Sequence, residues 1–363
     1  MIPFLDLKQI YKNNSDNINM AINQTIENAQ FINGKIIKEF EKNFADFTQS
    51  KYVISLNSGL DALYLSLRAL NIGTGDEVIV PTNTFIATWL AVSHCGAKIV
   101  PVEPDPTNHT INISQIEESI SRNTKAIIPV HLYGMPAKID EIMAIAKKHN
   151  IFVIEDAAQA HGAQYKGRKI GSHGDLVCWS FYPGKNLGAF GDGGAISTNN
   201  SELAEKIRLM RNYGSKKKYE HELLGFNSRL DSIQAAILNE KLKKLEEDNQ
   251  IREKIAMTYL DKINTKNVTL PEVAEYSKSS WHLFVIQHED RDRLMFELKA
   301  NGVETLIHYP IPPFKQRAYS HMEFGQTFDV SDKLSKEVLS LPIGPHMTIS
   351  QACQVADLVN RLA

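Results

Sequence analysis

Five short apolar runs separated by helical patterns restrict this chain more than any other feature. Tyr52-Val-Ile-Ser-Leu56, Glu77-Val-Ile-Val80, Ala97-Lys-Ile-Val-Pro-Val102, Ala126-Ile-Ile-Pro-Val130 and Ile151-Phe-Val-Ile154 each read as a strand. Between them apolar residues recur at helical spacing, as in Leu60, Leu63, Leu67 and Leu70. Buried strands alternating with amphipathic helices predict a mostly parallel central sheet covered by helices on both faces. A long helix is expected from about Gly225 through Leu245, fading in Glu246-Glu-Asp-Asn249, with another over Arg252–Leu260. Beyond it the pattern changes. Trp281–Ile286 and Val303–His308 read as strands and Asp290–Asn301 as a helix closed by Gly302. The expectation is an α/β fold: a large domain over residues 1–247 and a smaller C-terminal α+β domain over 248–363.

Composition narrows the function classes. The chain has 363 residues, 43% hydrophobic and 23% charged, enough to bury a large core. A net charge of -2 gives no bulk electrostatic reason for a nucleic-acid or anionic-membrane partner. No apolar run approaches a membrane span, and Met1-Ile-Pro-Phe-Leu-Asp-Leu-Lys lacks the basic and apolar regions of a signal peptide. Cys95, Cys178 and Cys353 are widely separated and form no CxxC. They read as reduced core thiols of a cytoplasmic protein, with no metal site expected.

The segment from Ser180 to Ser197 places Lys185 in a glycine-rich turn between two apolar runs, Leu176–Phe181 and Gly194–Thr198. Such a lysine is a candidate covalent amine for a carbonyl cofactor. It also fits an ordinary surface residue. A P-loop is excluded, because that pattern needs Gly at 179 and Ser or Thr at 186, where Trp179 and Asn186 stand. Three other positions bear on the choice. Asn57-Ser58-Gly59 joins a strand to a helix, a turn that offers free N–H groups to a phosphate but occurs in every βα unit. Phe85 opens a helix near a strand's carboxyl end, where it could stack on a flat ring or pack in the core. Asp156 ends a buried strand and needs a cation or donor, or else caps the next helix. Lys216-Lys-Lys218 fits a solvated loop or a contact with an anionic substrate. A flat aromatic aldehyde phosphate, pyridoxal 5′-phosphate (PLP), uses a lysine, a carboxylate, an aromatic and a phosphate cup together, with Ser180 as a hydroxyl for the phosphate.

The wording Gly75-Asp-Glu-Val-Ile-Val-Pro81, Glu155-Asp-Ala-Ala-Gln-Ala-His-Gly162, Ser180-Phe-Tyr-Pro-Gly-Lys-Asn-Leu-Gly188, Gly191-Asp-Gly-Gly194 and Asn227-Ser-Arg-Leu-Asp-Ser-Ile-Gln-Ala-Ala236 resembles the DegT/StrS-type sugar-nucleotide aminotransferases. These belong to the aspartate-aminotransferase fold, and the resemblance covers nearly the whole chain. It implies a large PLP-dependent transferase domain. Lys185 then matches the Schiff-base lysine, Asp156 the partner of the pyridine nitrogen, and Gln159 the residue near the ring 3-hydroxyl. Ser180, Gly59 and Leu60 match the phosphate ligands and Phe85 the stacking aromatic. Asn227 matches a phosphate ligand given by the other subunit of a homodimer. Tyr182, His308 and Tyr309 fall where relatives line the sugar pocket. Phe314 departs from the polar residue expected after Pro-Ile-Pro-Pro.

Finer wording, in Asn57-Ser-Gly-Leu60, His131-Leu-Tyr-Gly134 and Gln159-Ala-His161, resembles enzymes that aminate carbon 3 of dTDP-3-oxo-6-deoxyhexoses for surface glycans or glycosylated metabolites. The implied reaction takes its amino group from L-glutamate, with Lys185 as nucleophile and then as acid–base. Dehydratase relatives carry histidine at the lysine position, so Lys185 points to transfer. A carbon-4 aminotransferase, another PLP reaction on the same fold such as elimination or desulfuration, and a non-catalytic regulatory binder are the competing readings.

Overall fold

The computed structural model describes residues 1–363. Seven strands form the central sheet: β1 (Tyr52–Leu56), β2 (Glu77–Pro81), β3 (Lys98–Val102), β4 (Thr124–Ile127), β5 (Phe152–Asp156), β6 (Leu176–Ser180) and β7 (Gly194–Thr198). Their spatial order is β1-β7-β6-β5-β4-β2-β3. The ladders from β6 through β5, β4 and β2 to β3 are parallel, whereas β7 runs antiparallel to both β1 and β6. The cause is local. Residues 181–193 contain no crossover helix, so the chain turns back beside the strand it has just left. Gly194 sits opposite both Leu56 and Ser180. A Cβ there would lie 2.2 Å from the Ser58 carbonyl oxygen, so only glycine lets the strand approach that turn.

Side-chain alternation puts a core on each face of the sheet. Val53, Val153, Val177 and Trp179 pack with Phe40 and Phe44 of the helix Lys35–Thr48 on one side. Ile54, Ile154 and Cys178 pack with Leu63 and Leu67 of the helix Gly59–Ala69 and with Trp89 on the other. Each fully buried Phe contributes on the order of 1.5–3 kcal/mol of transfer free energy. Cys95 and Cys178 are buried free thiols, both pushed up by burial, Cys95 to about 12.

Later segments differ from the sequence pattern in instructive ways. The helix expected from Gly225 begins only at Ser232, because Asn227 and Asp231 bridge to Asn212 and Ile32 in extended conformation. A new helix, Leu245–Lys262, starts where fading was expected, so residues 247 and 248 lie in its first turn. The strand expected at Trp281–Ile286 is β8 (Phe284–Gln287), paired antiparallel with β9 (Val338–Leu341). Val303–His308 forms no strand: Val303 and Leu306 make only isolated bridges, to Ile2 and Ser340. A further core gathers Tyr259, Phe284, Leu294 and Val355, together with Ile2 from the chain's start.

Candidate active site

A cavity of about 1010 Å³ opens at the carboxyl ends of β5 and β6. It is lined by Lys185, Asp156, Gln159, Ser180, Gly59, Leu60, Phe85, Tyr182, His308 and Tyr309, which brings together every site residue expected from the sequence except Asn227. Asn227 is exposed and outside this cavity.

The turn after β1 builds an anion cup. Ser58 caps the helix, its Oγ accepting from Asp61 N at 3.0 Å. Gly59 and Leu60 are the first helical residues, so their N–H groups have no acceptor within the helix. A Cβ on Gly59 would lie 2.7 Å from Ser180 Cβ, which keeps this cradle open only to glycine. Ser180, the last residue of β6, stands against it.

Asp156 closes β5 and is buried. Its Oδ2 accepts from Thr88 Oγ1 at 2.9 Å, Oδ1 accepts from Ala158 N at 3.1 Å, and Thr84 bonds Thr88 at 2.8 Å. Burial nevertheless pushes the carboxyl above its usual range. Lys185 is half-buried, and its Nζ makes no hydrogen bond or ion pair within the chain. Burial lowers it from 10.5 to about 8, against the pull of Asp156. Such a site favours a cationic ring nitrogen over Asp156 and an amine able to lose its proton at Lys185.

Gln159 is fixed from both ends. Its Oε1 accepts from Tyr133 N at 2.6 Å and its Nε2 donates to Tyr309 Oη at 3.0 Å. Phe85 is 53% exposed and meets Tyr309 at 5.4 Å between ring centroids, so it faces the cavity and not the core. His308 bonds Ser340 at 2.8 Å through Nδ1, and burial, with Lys185 nearby, lowers it to about 4. Phe314 lies outside this cavity, against Phe328 at 4.8 Å. Lys217 pairs with Glu220 at 2.7 Å in an exposed ribbon, and Lys216–Lys218 do not line the cavity.

Sequence reasoning missed Thr88, Arg252 and His282. Thr88 lies one helical turn past Thr84 in the segment that supplied Phe85, and its spacing was a readable signal. Arg252 and His282 come from distant parts of the chain and carried none. The donors, carboxylate, amine and aromatic face present fit a PLP-type ligand: an N–H cup for a phosphate, an acceptor for a ring N–H and an unpaired amine.

Residues 12–360 match the DegT/DnrJ/EryC1/StrS aminotransferase family. The chain is 50% identical over 361 residues to dTDP-3-amino-3,6-dideoxy-alpha-D-galactopyranose transaminase of Aneurinibacillus thermoaerophilus, covering 99% of each. It is similar to the structure of S. venezuelae DesV in complex with ketimine intermediate, at a TM-score of 0.97 and 45% identity, over 99% of this chain and 98% of that one. It is likewise similar to ntda from Bacillus subtilis with bound cofactor PMP, at a TM-score of 0.92 and 33% identity, over 99% of this chain and 85% of that one.

Proposed function

The chain belongs to the DegT/DnrJ/EryC1/StrS aminotransferase family, and from that premise we propose that it moves an amino group from L-glutamate to carbon 3 of a dTDP-linked 3-oxo-6-deoxyhexose. The product is a dTDP-3-amino-3,6-dideoxyhexose, in keeping with the name of the A. thermoaerophilus relative. PLP is the cofactor, a reading supported by the PMP bound in the B. subtilis relative. When bound, it supplies an electron-withdrawing ring that carries the amino group between donor and acceptor.

The chain's own residues divide the remaining work. The N–H groups of Gly59 and Leu60, with Ser180 Oγ, would hold the phosphate. Asp156, positioned by Thr88, would accept the ring N–H and keep that nitrogen cationic. Phe85 would pack against the ring, and Gln159 with Tyr309 would bind its polar edge. Lys185 would be the covalent anchor, and its Nζ, once free, would accept and return the proton that amino transfer moves. Tyr182, His308 and Tyr309 contact the sugar. Within this reading residues 1–247 carry the cofactor site, and residues 248–363 supply Arg252, His282, His308 and Tyr309 to its wall.

Asn227, on the surface and away from its own cavity, is read as a phosphate ligand given to the partner in a homodimer. A cytoplasmic location goes with the reading, supported by the free, buried Cys95 and Cys178. No helix is long and apolar enough to cross a membrane.

The observation that carries the reading is the unpaired Lys185 amine sharing one cavity with buried Asp156. The test is a substrate comparison. With L-glutamate, the purified protein should release 2-oxoglutarate in the presence of a 3-keto-6-deoxy sugar nucleotide. Consumption of the 4-keto isomer alone overturns the carbon-3 assignment.

A further inference from the structure

Between Pro183 and Gly188, Asn186 is the residue whose side chain hydrogen-bonds to the rest of the chain, and it adjoins Lys185. Leu187 packs in the core beside it, but apolar packing is not directional. Asn186 is buried. Its Nδ2 donates to Asn249 Oδ1 at 2.9 Å and to the Ser280 carbonyl at 2.8 Å, and its Oδ1 faces His282 Nδ1 at 3.1 Å. The Ser280 carbonyl only accepts, so it settles which amide atom of Asn186 is the nitrogen. All three partners belong to residues 248–363.

Two of these partners return to the segment after Asp156. Asn249 Nδ2 donates to the His161 carbonyl at 2.8 Å, and Ser280 Oγ donates to the Gln159 carbonyl at 2.9 Å. Asn186 is therefore joined to residues 159 and 161 by two separate bridges, one through Asn249 and one through Ser280. Both relays pack against glycines. A Cβ on Gly162 would lie 2.5 Å from Asn249 Nδ2, and a Cβ on Gly134 would lie 2.6 Å from Ser280 Oγ. The segment they meet carries Asp156 and Gln159, which line the cavity, whereas Asn186, Asn249 and Ser280 do not. The turn that bears the amine is thus tied to the turn that bears the carboxylate through a third part of the chain.

We infer that Asn186 is a positioning residue for Lys185: through Asn249 and Ser280 it holds the lysine's turn in register with the Asp156–Gln159 segment, so that the amine meets an aldehyde seated there. The inference rests on the reading of Lys185 as the covalent anchor. Its effect falls on the reaction of the amine and not on the grip on the ring, because Asn186 is outside the cavity wall.

Two ligands separate these effects. PMP carries an amine where PLP carries an aldehyde, so it enters the site without bonding to Lys185. In the full-length chain freed of cofactor, PMP affinity is read by fluorescence titration. The rate of bonding to PLP is read by borohydride quench and mass spectrometry. The Lys185 amine and the aldehyde join with loss of water, and borohydride reduces the C=N bond to a secondary amine that marks the residue. Asn186→Ala should slow bonding by about 10²-fold, as a misplacement of about 1 Å does, with PMP affinity unchanged. Equal losses in both readouts, or no loss of bonding rate, overturn the positioning role. Asn249→Ala leaves the lysine's turn intact and cuts one bridge. It should slow bonding by about tenfold, again without loss of PMP affinity. Added to Asn186→Ala, it should cost nothing further, because both act through the same bond. A wild-type bonding rate in Asn249→Ala overturns the bridge through that residue. A wild-type protein with no adduct on Lys185 instead overturns the reading of Lys185 itself.

Discussion

Glu155 and Asp156 are consecutive residues at the end of β5 whose carboxyls are shifted in opposite directions. Glu155 is fully buried, yet its Oε2 accepts from His131 Nε2 at 2.8 Å and its Oε1 from Gly174 N at 2.6 Å. Burial alone would raise it, but His131 and the Gly174 N–H together hold it below the usual carboxylate range. His131 Nδ1 accepts from Ala137 N at 3.0 Å, which places the imidazole proton on Nε2, toward Glu155. Asp156, on the other face of the strand, accepts only from the neutral donors Thr88 Oγ1 and Ala158 N, with no imidazole bonded to it, and burial leaves it raised. Alternation along a strand thus separates a carboxylate satisfied by the scaffold from one kept for a ligand.

Removing the scaffold's half should be costly. His131→Ala leaves Glu155 buried beside no donor on that side, and stability should fall by about 3–5 kcal/mol. Urea denaturation of the cofactor-free chain measures it. A loss under about 1 kcal/mol would mean that water or His173 replaces His131.

Asp156→Asn should act in the reverse sense on the cofactor-free chain. A carboxyl with a raised folded pKa gives its full stability below the unfolded value of 3.8, and that stability is lost as pH rises through the folded value. The amide has no such penalty, so the variant should melt higher than wild type at pH 7. Its transaminase kcat should drop about 10²–10³-fold, as when one preorganised electrostatic contact is removed. A variant that is less stable and fully active contradicts both roles.

Lys185→Met offers a pH test of a different sign. The lysine's pKa is lowered to about 8 from 10.5, so at pH 7 the fold carries a disfavoured ammonium. Wild-type stability should therefore rise between pH 8 and 10.5, where the unfolded chain holds a proton that the folded one has released. The methionine variant lacks this rise. Thermal melts of the two cofactor-free proteins should differ most near pH 7 and converge above pH 10. Parallel curves across that range would show that Lys185 is not desolvated.

Asn227 provides a test of shared sites. Chains with Lys185→Ala and chains with Asn227→Ala, each impaired alone, should regain activity when unfolded together and refolded. Random pairing places one intact lysine opposite one intact asparagine in half the dimers, so recovery should approach about a quarter of the wild-type value. No recovery above the sum of the parents would assign Asn227 to its own chain.

Much of this was legible in the residues. Apolar runs with helical spacers determined the mostly parallel sheet, because strands buried on both faces must be apolar throughout. The positions of Lys185, Asp156, Phe85 and the Ser58-Gly59 turn were readable too, since each follows a strand and strand ends converge at one edge of the sheet. The antiparallel return of β7 was implied by the missing crossover helix between Ser180 and Gly194 but needed the structure to be seen. The helix breaks at Ser232 and Leu245, and the absence of a strand at Val303–His308, were not readable, because pairing partners and not local propensity decided them. The same holds at the site. Thr88 bonds Asp156, and Gln159 bonds Tyr133 and Tyr309, and no local pattern records hydrogen bonds among residues so far apart. Residue periodicity is enough to specify the layers, and residue identity the chemical groups at the cavity. Which of those groups are left without partners follows from the packed fold, since hydrogen bonding and burial are properties of neighbours in space.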